Sequence, residues 1–371
     1  MRIAASVARG YTAIMHIIPV QIRPVTSLVR TGPRAAFAVL AMIALGIHGA
    51  TALAQVADPD PLFADSEPLA ITLTGPFERI DDDRDKEQEY EGTLSYVDDS
   101  GATVLLDARF EVRGNWRLNP SNCSYSQLWV DLRRGQLPGT LFENQNRLKL
   151  VVQCRRQDRY ATYIQRELQA YRIFSQLTDL NFDTRELVVT YVDSEEADSS
   201  RTHSGFFIEH QRRLSDRFQM AEVEENRVQP AAIDPLQGTL VSLFMYFVGN
   251  VDFSLVQGPP DDECCHNSKL LSADGKYYPI PYDFDASGFI DASYAPEPPE
   301  QFGIRSNRSR VYRGFCVEPA IMNEALDKFR AIEGEVTAMV TERRNAGFVE
   351  DFFETINDPR DLERDIIRDC R

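Results

Sequence analysis

The sequence has little of what marks a repetitive, fibrous or nucleic-acid-binding chain. Glycine and proline number only 20 each among 371 residues, which excludes collagen-like and proline-rich sequences. Basic residues are in the minority, since 40 lysines and arginines face 57 acidic residues and the formal net charge is -17. Nucleic-acid binders carry a basic surface, so this charge argues against a nucleic-acid partner. With 43% hydrophobic residues, the chain has enough apolar material for a sizeable core.

Several catalytic and metal-binding signatures are also missing. The sequence has no G-x-G-x-x-G loop and no P-loop, no C-x-x-C pairs at zinc spacing, and no G-x-S-x-G elbow around Ser287. The five histidines are scattered, and the acidic run at residues 261–263 lacks the spacing and the glycine of an EF-hand. These absences disfavour a structural zinc site, a serine hydrolase and an EF-hand calcium site.

The first 54 residues contain five arginines and no acidic residue. An uncharged apolar stretch of eleven residues at 35–45 is followed by the small-residue pattern Ala52-Leu53-Ala54. This arrangement predicts a secretory signal peptide over residues 1–54. The apolar stretch is short for a spanning helix, which needs about 20 residues, but an uncleaved anchor remains an alternative. We therefore expect an exported protein, periplasmic or secreted, with no membrane contact beyond a possible N-terminal anchor.

All six cysteines follow the predicted signal peptide. An even count in an exported chain favours disulfides. Because Cys264 and Cys265 are adjacent, we expect them to bond to two different partners. The connectivity of the six is otherwise open.

Hydrophobic periodicity divides the rest of the chain. Residues 55–68 are rich in proline and aspartate and predict a flexible linker. Residues 69–192 alternate like strands around one helix, which predicts a β-rich N-lobe. Residues 193–371 predict a C-lobe rich in helices, with Asp234 as the N-cap and Pro235 at the first position of a strongly apolar helix.

Three segments with Asp or Asn among apolar neighbours have the densest unusual chemistry: residues 248–254, 265–270 and 280–288. Phosphoryl transfer needs a carboxylate to orient the nucleophile, an Asn and an Asp to hold magnesium, and a cation for the remaining phosphate charge. Asp252, Asn267 and Asp283 follow one another in that order.

The same segments resemble the spore-coat kinase (CotH) family and, more distantly, HipA-type and lipid-kinase-type enzymes. Residues 249–252 (Gly-Asn-Val-Asp) resemble the Gly-Asn-x-Asp catalytic loop, and residues 281–285 (Pro-Tyr-Asp-Phe-Asp) resemble the Pro-Trp-Asp-x-Asp motif. Residues 113–115 are similar to the Arg-Gly-Asn turn of that family. The resemblance covers about residues 69–314, which also look like a group of exported bacterial proteins.

The resemblance implies an α+β, two-lobed atypical kinase-like fold that binds ATP with Mg²⁺ or Mn²⁺ between its lobes. It implies phosphoryl transfer to a protein or a small hydroxyl acceptor. The residues that it assigns are Asp252 as the catalytic residue, Lys149, Glu167 and Arg113 for cofactor binding, and Asn267, Asp283 and Asp285 for the metal. In this assignment Glu167 orients Lys149.

Other interpretations remain open at this stage. Fifteen residues separate Asp252 from Asn267, whereas about five separate the matching pair in common protein kinases. Lys149 alternates with leucines, which is also typical of a solvated strand face, and Asp283 and Asp285 are compatible with an edge strand. The alternatives to a kinase are a non-catalytic binding or envelope-structural module, and a metal-dependent or calcium-stabilised envelope protein.

Overall fold

The computed structural model describes residues 60–196, 199–260 and 263–370. The predicted signal peptide and the first five residues of the predicted linker lie outside these ranges. Within the remainder of the linker, Pro61–Phe63 forms a short 3-10 turn, and Leu62 is buried against the first strands.

Seven strands close into a barrel. They are β1 Leu69–Gly75, β2 Glu89–Val97, β3 Thr103–Arg113, β4 Gln127–Leu132, β5 Arg147–Val152, β6 Thr184–Asp193 and β7 Ser200–Ile208. Their order around the barrel is β1-β2-β3-β4-β5-β7-β6. Every neighbouring pair is antiparallel except β1 and β6, whose parallel pairing from Leu69↔Leu187 to Gly75↔Asp193 completes the ring.

Alternation along the strands fills the barrel with apolar side chains. In β3, Leu106, Ala108 and Phe110 are buried while the residues between them point outward. Gly92 lies where β2 approaches β1 so closely that a Cβ would come 2.2 Å from the Thr74 carbonyl oxygen. Only glycine fits at that position without a shift of the backbone.

The expected two-lobed kinase-like fold is therefore wrong. The strands of the N-terminal region do not form the open sheet of a separate lobe, because β7 inserts between β5 and β6 and β6 then pairs with β1. Alternating apolar residues identified most of these strands correctly. Alternation gives no information about which distant strand each one pairs with, so the closure was not predictable from the pattern.

Helices and a small second sheet follow or interrupt the barrel strands. The helices are α1 Phe77–Asp83, α2 Asp158–Ser175, α3 Gln211–Phe218, α4 Pro235–Val248, α5 Pro319–Met339, α6 Arg343–Asn357 and α7 Pro359–Leu362. The second sheet contains β8 Ala221–Glu222, β9 Ser268–Ala273 and β10 Lys276–Pro281. A π-helical turn, Glu363–Ile367, is the last helical element of the described chain.

Helix α4 is the centre of the helical part. Its predicted N-terminus is confirmed, because the Asp234 carboxylate accepts a hydrogen bond from the Gln237 amide at 2.9 Å and Pro235 is the first residue. Nearly every side chain of α4 is buried, and Phe247 packs against Phe329 of α5 and Phe352 of α6. A helix that is apolar all round belongs in a core, and α4 occupies one.

Three disulfides connect the six cysteines: Cys123–Cys154, Cys264–Cys265 and Cys316–Cys370. The expectation that Cys264 and Cys265 have different partners is wrong, because the other four cysteines pair with one another and the two neighbours bond together. Three disulfides indicate an oxidising environment, as exported proteins experience. Across the described ranges, no helix combines the length and the hydropathy that crossing a membrane requires.

Candidate functional site

A cleft of about 470 Å³ lies between the outer face of strands β3, β4, β5 and β7 and the segments that follow α4 and flank the β9–β10 hairpin. All seven residues singled out from the sequence line it: Arg113, Lys149, Glu167, Asp252, Asn267, Asp283 and Asp285. The first three come from β3, β5 and α2, and the other four come from segments around the β9–β10 hairpin. The tertiary structure thus brings residues from distant parts of the chain into one place.

The β9–β10 hairpin explains how Asn267 and Asp283 meet. Ser268 pairs with Pro281 at the open end of this antiparallel hairpin, and the Tyr282 amide donates to the Asn267 carbonyl at 3.2 Å. Asn267 and Asp283 flank that last pair and so extend from the same end of the hairpin. The long interval between Asp252 and Asn267 is bridged by direct contact, since Asn267 Nδ2 donates to the Asp252 carbonyl oxygen at 2.6 Å.

Asn267 and Asp283 share an unusual backbone conformation. Their φ angles are 51° and 62°, in the left-handed region that non-glycine residues seldom adopt. The Asp283 amide donates to the Tyr171 hydroxyl of α2 at 3.0 Å, which holds this turn against the barrel side of the cleft. Strained backbone of this kind concentrates at functional sites, where the surrounding structure maintains it.

Asp252 is held by the side chains of Asn250, His266 and Asn267. The buried Asn250 side chain accepts a hydrogen bond from the Asp252 amide at 2.8 Å, and His266 Nε2 lies 2.8 Å from Asp252 Oδ1. Burial acts to raise the pKa of Asp252, but the hydrogen bond and charge of His266 outweigh it and the pKa is lowered. The same hydrogen bond raises the pKa of His266. Asp252 is thus an ionised, oriented carboxylate facing the cleft.

Lys149 and Arg113 form the cationic side of the cleft. Lys149 is half-buried rather than on a solvated face, with Nζ 4.3 Å from the centre of the Tyr282 ring and 5.5 Å from that of Trp129. Burial, together with the neighbouring Arg113 guanidinium, lowers the pKa of Lys149 to about 7. Neither cation has an ion-pair partner among the described side chains, and Arg113 Nε is buried without a hydrogen bond there. Two adjacent cations that lack ion-pair partners provide a site for an anion.

Glu167 contacts a residue that the sequence did not single out. Arg117 Nη2 lies 3.3 Å from Glu167 Oε2, and Arg117 Nε lies 2.6 Å from Asp285 Oδ2. Burial raises the pKa of both carboxyl groups, and the Arg117 charge opposes the rise. Glu167 was assigned to orient Lys149, but its close ion pair is with Arg117. The one feature of the sequence that could have indicated Arg117 is its position just after the Arg-Gly-Asn turn at residues 113–115, four residues after Arg113.

Asp283 and Asn267 present oxygen atoms of the kind that a hard divalent cation binds. Within the described ranges, no group of three or more histidine, cysteine or acidic side chains is arranged to hold a metal. Asp283 has no cation within ion-pair distance in that part of the chain, and Asn267 uses its amide nitrogen toward Asp252, which leaves its oxygen for a ligand. Magnesium commonly takes only one or two protein carboxylates and completes its shell with phosphates and waters.

Comparison of the chain with known proteins identified no relative. No protein-family model matches the chain, and no curated protein matches it significantly. The resemblance to the spore-coat kinase family therefore stays a prediction that rests on the motifs quoted above.

Replacing Lys149 by methionine should stabilise the protein, because the change removes a half-buried cation that has no acidic side chain at ion-pair distance in the described part of the chain. The pKa of Lys149 is about 7 in the fold and about 10.4 in an unfolded chain, so the cost of its charge is full below pH 7 and disappears toward pH 10. We expect Lys149→Met to raise the thermal midpoint most at pH 6 and least at pH 9. Lys276→Met, in β10 outside this cleft, is the matched control. A melting temperature for Lys149→Met at or below that of the parent at pH 6 would contradict the assignment of Lys149 as an unpaired cation.

Proposed function

We propose that the cleft transfers the terminal phosphoryl group of a nucleoside triphosphate, with Mg²⁺ or Mn²⁺, to a hydroxyl group of a protein or a small molecule. One observation carries the proposal. Lys149 and Arg113, which have no acidic side chain at ion-pair distance in the described ranges, share a cleft with Asp283 and Asn267, which are held in left-handed conformations. The cations match the phosphate charge, and the oxygen donors match the ion that accompanies it.

Each residue has a role that follows from its surroundings. Lys149 and Arg113 bind the phosphate oxygens, because both cations line the cleft. Asp283 and Asn267 would hold the metal ion, which would supply charge neutralisation for the phosphates. Asp285 is held by Arg117, whose Nε lies 2.6 Å from Asp285 Oδ2. Together these residues position the phosphate groups of the nucleoside triphosphate for transfer to the acceptor.

Asp252 orients the acceptor hydroxyl and accepts its proton. Its lowered pKa makes it a weak base, but phosphoryl transfer with a loose transition state depends more on positioning than on strong proton abstraction. His266 and Asn250 supply that positioning by fixing the carboxylate and the backbone of Asp252. Glu167 is a positioning residue, because it acts on the cleft through Arg117.

We also propose that the protein acts in the periplasm or outside the cell. The three disulfides and the predicted signal peptide support this location. An acceptor that is itself exported is consistent with it.

The direct test uses protein produced with its disulfides formed. Transfer of label from γ-labelled ATP, with Mg²⁺ or Mn²⁺, is measured to the protein itself and to generic protein and small hydroxyl acceptors, and binding of MgATP is measured by calorimetry. Labelled product supports the proposal. Saturable binding of MgATP without transfer to any acceptor would favour a non-catalytic binding module. Absence of both would overturn the proposal.

A further inference from the structure

The chain has only two tryptophans, Trp116 and Trp129, and both line the cleft. Their surroundings differ. The Trp129 ring is packed between protein cations, with Arg147 at 4.7 Å and Lys149 at 5.5 Å from its centre. Trp116 is 49% exposed, and no aromatic ring or cation from the described ranges packs on it. Trp116 thus offers the cleft an uncovered indole surface.

Trp116 is exposed but not loose. Its Nε1 donates to the Tyr294 carbonyl oxygen at 2.5 Å, and its own carbonyl oxygen accepts from Asn122 Nδ2 at 2.8 Å. The next residue, Arg117, is tied to Asp285 and Glu167. These contacts hold the indole in one orientation. The Trp116 side chain therefore loses little conformational entropy when a ligand stacks on it.

The distance between Trp116 and the cations assigned to the phosphates limits which ligands could contact both. Arg113 precedes Trp116 by three residues, and three extended residues span at most about 11 Å. The chain turns between them at Gly114, which has φ 87° and open space around it. A flat aromatic platform therefore lies within the length of one nucleotide from the cation that is assigned to the phosphates.

We propose that Trp116 is the platform on which the base of the nucleoside triphosphate stacks. This inference rests on the proposed function and adds the nucleoside part of the substrate to it. Base–aromatic stacking contributes about 1–3 kcal/mol per base and needs only a π-face, which the exposed indole provides. Trp129 and Tyr282 do not serve this role, since Lys149 packs on both rings.

The test separates the base from the phosphates. MgATP and magnesium tripolyphosphate, which has the phosphates alone, are titrated into the disulfide-bonded parent protein, Trp116→Ala and Trp116→Phe. We expect Trp116→Ala to bind MgATP about 5- to 150-fold more weakly, as the loss of one stacked base predicts, and tripolyphosphate within twofold of the parent. Trp116→Phe should recover most of the affinity for MgATP. In Trp129→Phe, where Trp116 is the only indole, MgATP should quench the fluorescence and tripolyphosphate should not.

Each contrary outcome has a separate meaning. If Trp116→Ala binds MgATP as tightly as the parent, or loses affinity for both ligands equally, the stacking role is wrong and the proposed function stands. If the parent protein binds neither ligand, the proposed function itself fails. A thermal melt of each variant shows that the lost affinity does not arise from unfolding.

Discussion

Asp283→Asn should reduce phosphoryl transfer by about 10³-fold or more while the protein stays folded. Asparagine tolerates the left-handed backbone that Asp283 adopts, so the substitution removes the charge without disturbing the turn. The lost carboxylate is the one assigned to the metal ion, and groups that neutralise charge in phosphoryl transfer contribute effects of this size. The measurement is initial-rate transfer of label from γ-labelled ATP, with a thermal melt as the folding control.

The matched control for this variant is Asp274→Asn. Asp274 also has a left-handed backbone, with φ 51°, but it lies in the turn between β9 and β10 and not in the cleft. Its substitution should leave the transfer rate within about twofold. Equal transfer rates for Asp283→Asn and the parent protein would contradict the assignment of Asp283 as a metal ligand.

Arg117→Met should produce the largest loss of stability among single substitutions in the cleft, about 3–5 kcal/mol. Arg117 is buried between Glu167 and Asp285, and removing it leaves two carboxyl groups without their cation. Denaturant unfolding at constant pH measures the free energy of unfolding. Arg133→Met is the control, because the Arg133–Asp107 pair is exposed and its loss should cost at most about 1 kcal/mol.

The loss in Arg117→Met should depend on pH in a defined direction. Burial already raises the pKa of Glu167 and Asp285 above their unfolded values near 4, and removing Arg117 raises both further. The folded state then binds more protons than the unfolded state, so stability falls as the pH rises above about 4. Both proteins keep Glu167 protonated below the parent's pKa of about 8, so the difference in unfolding free energy between Arg117→Met and the parent should be larger at pH 9.5 than at pH 6. A difference independent of pH would mean that these carboxyl groups are not paired with Arg117 in solution.

Local pattern predicted the local structure of this chain well. Alternating residues placed β2, β3 and β6, because a strand with one buried face has period two. Helix α4 and its N-cap were predictable because the Asp-Pro pair and the following apolar run both act within one or two helical turns. Asp252, Asn267 and Asp283 were singled out because acids and amides beside apolar residues are uncommon, whereas Arg113, Lys149, Glu167 and Asp285 were assigned through the resemblance to the spore-coat kinase family.

The sequence by itself thus determined the strands, the central helix and seven of the residues that line the cleft, whereas Arg117 and the two tryptophans of the cleft were not assigned to it. The tertiary structure alone decided that the strands close into a barrel, that Glu167 contacts Arg117, and that Cys264 bonds to Cys265. Each of these depends on which groups meet after the chain has folded back on itself. Pairing between distant segments is set by the competition of all possible contacts in the packed core, and no short stretch of sequence records its outcome.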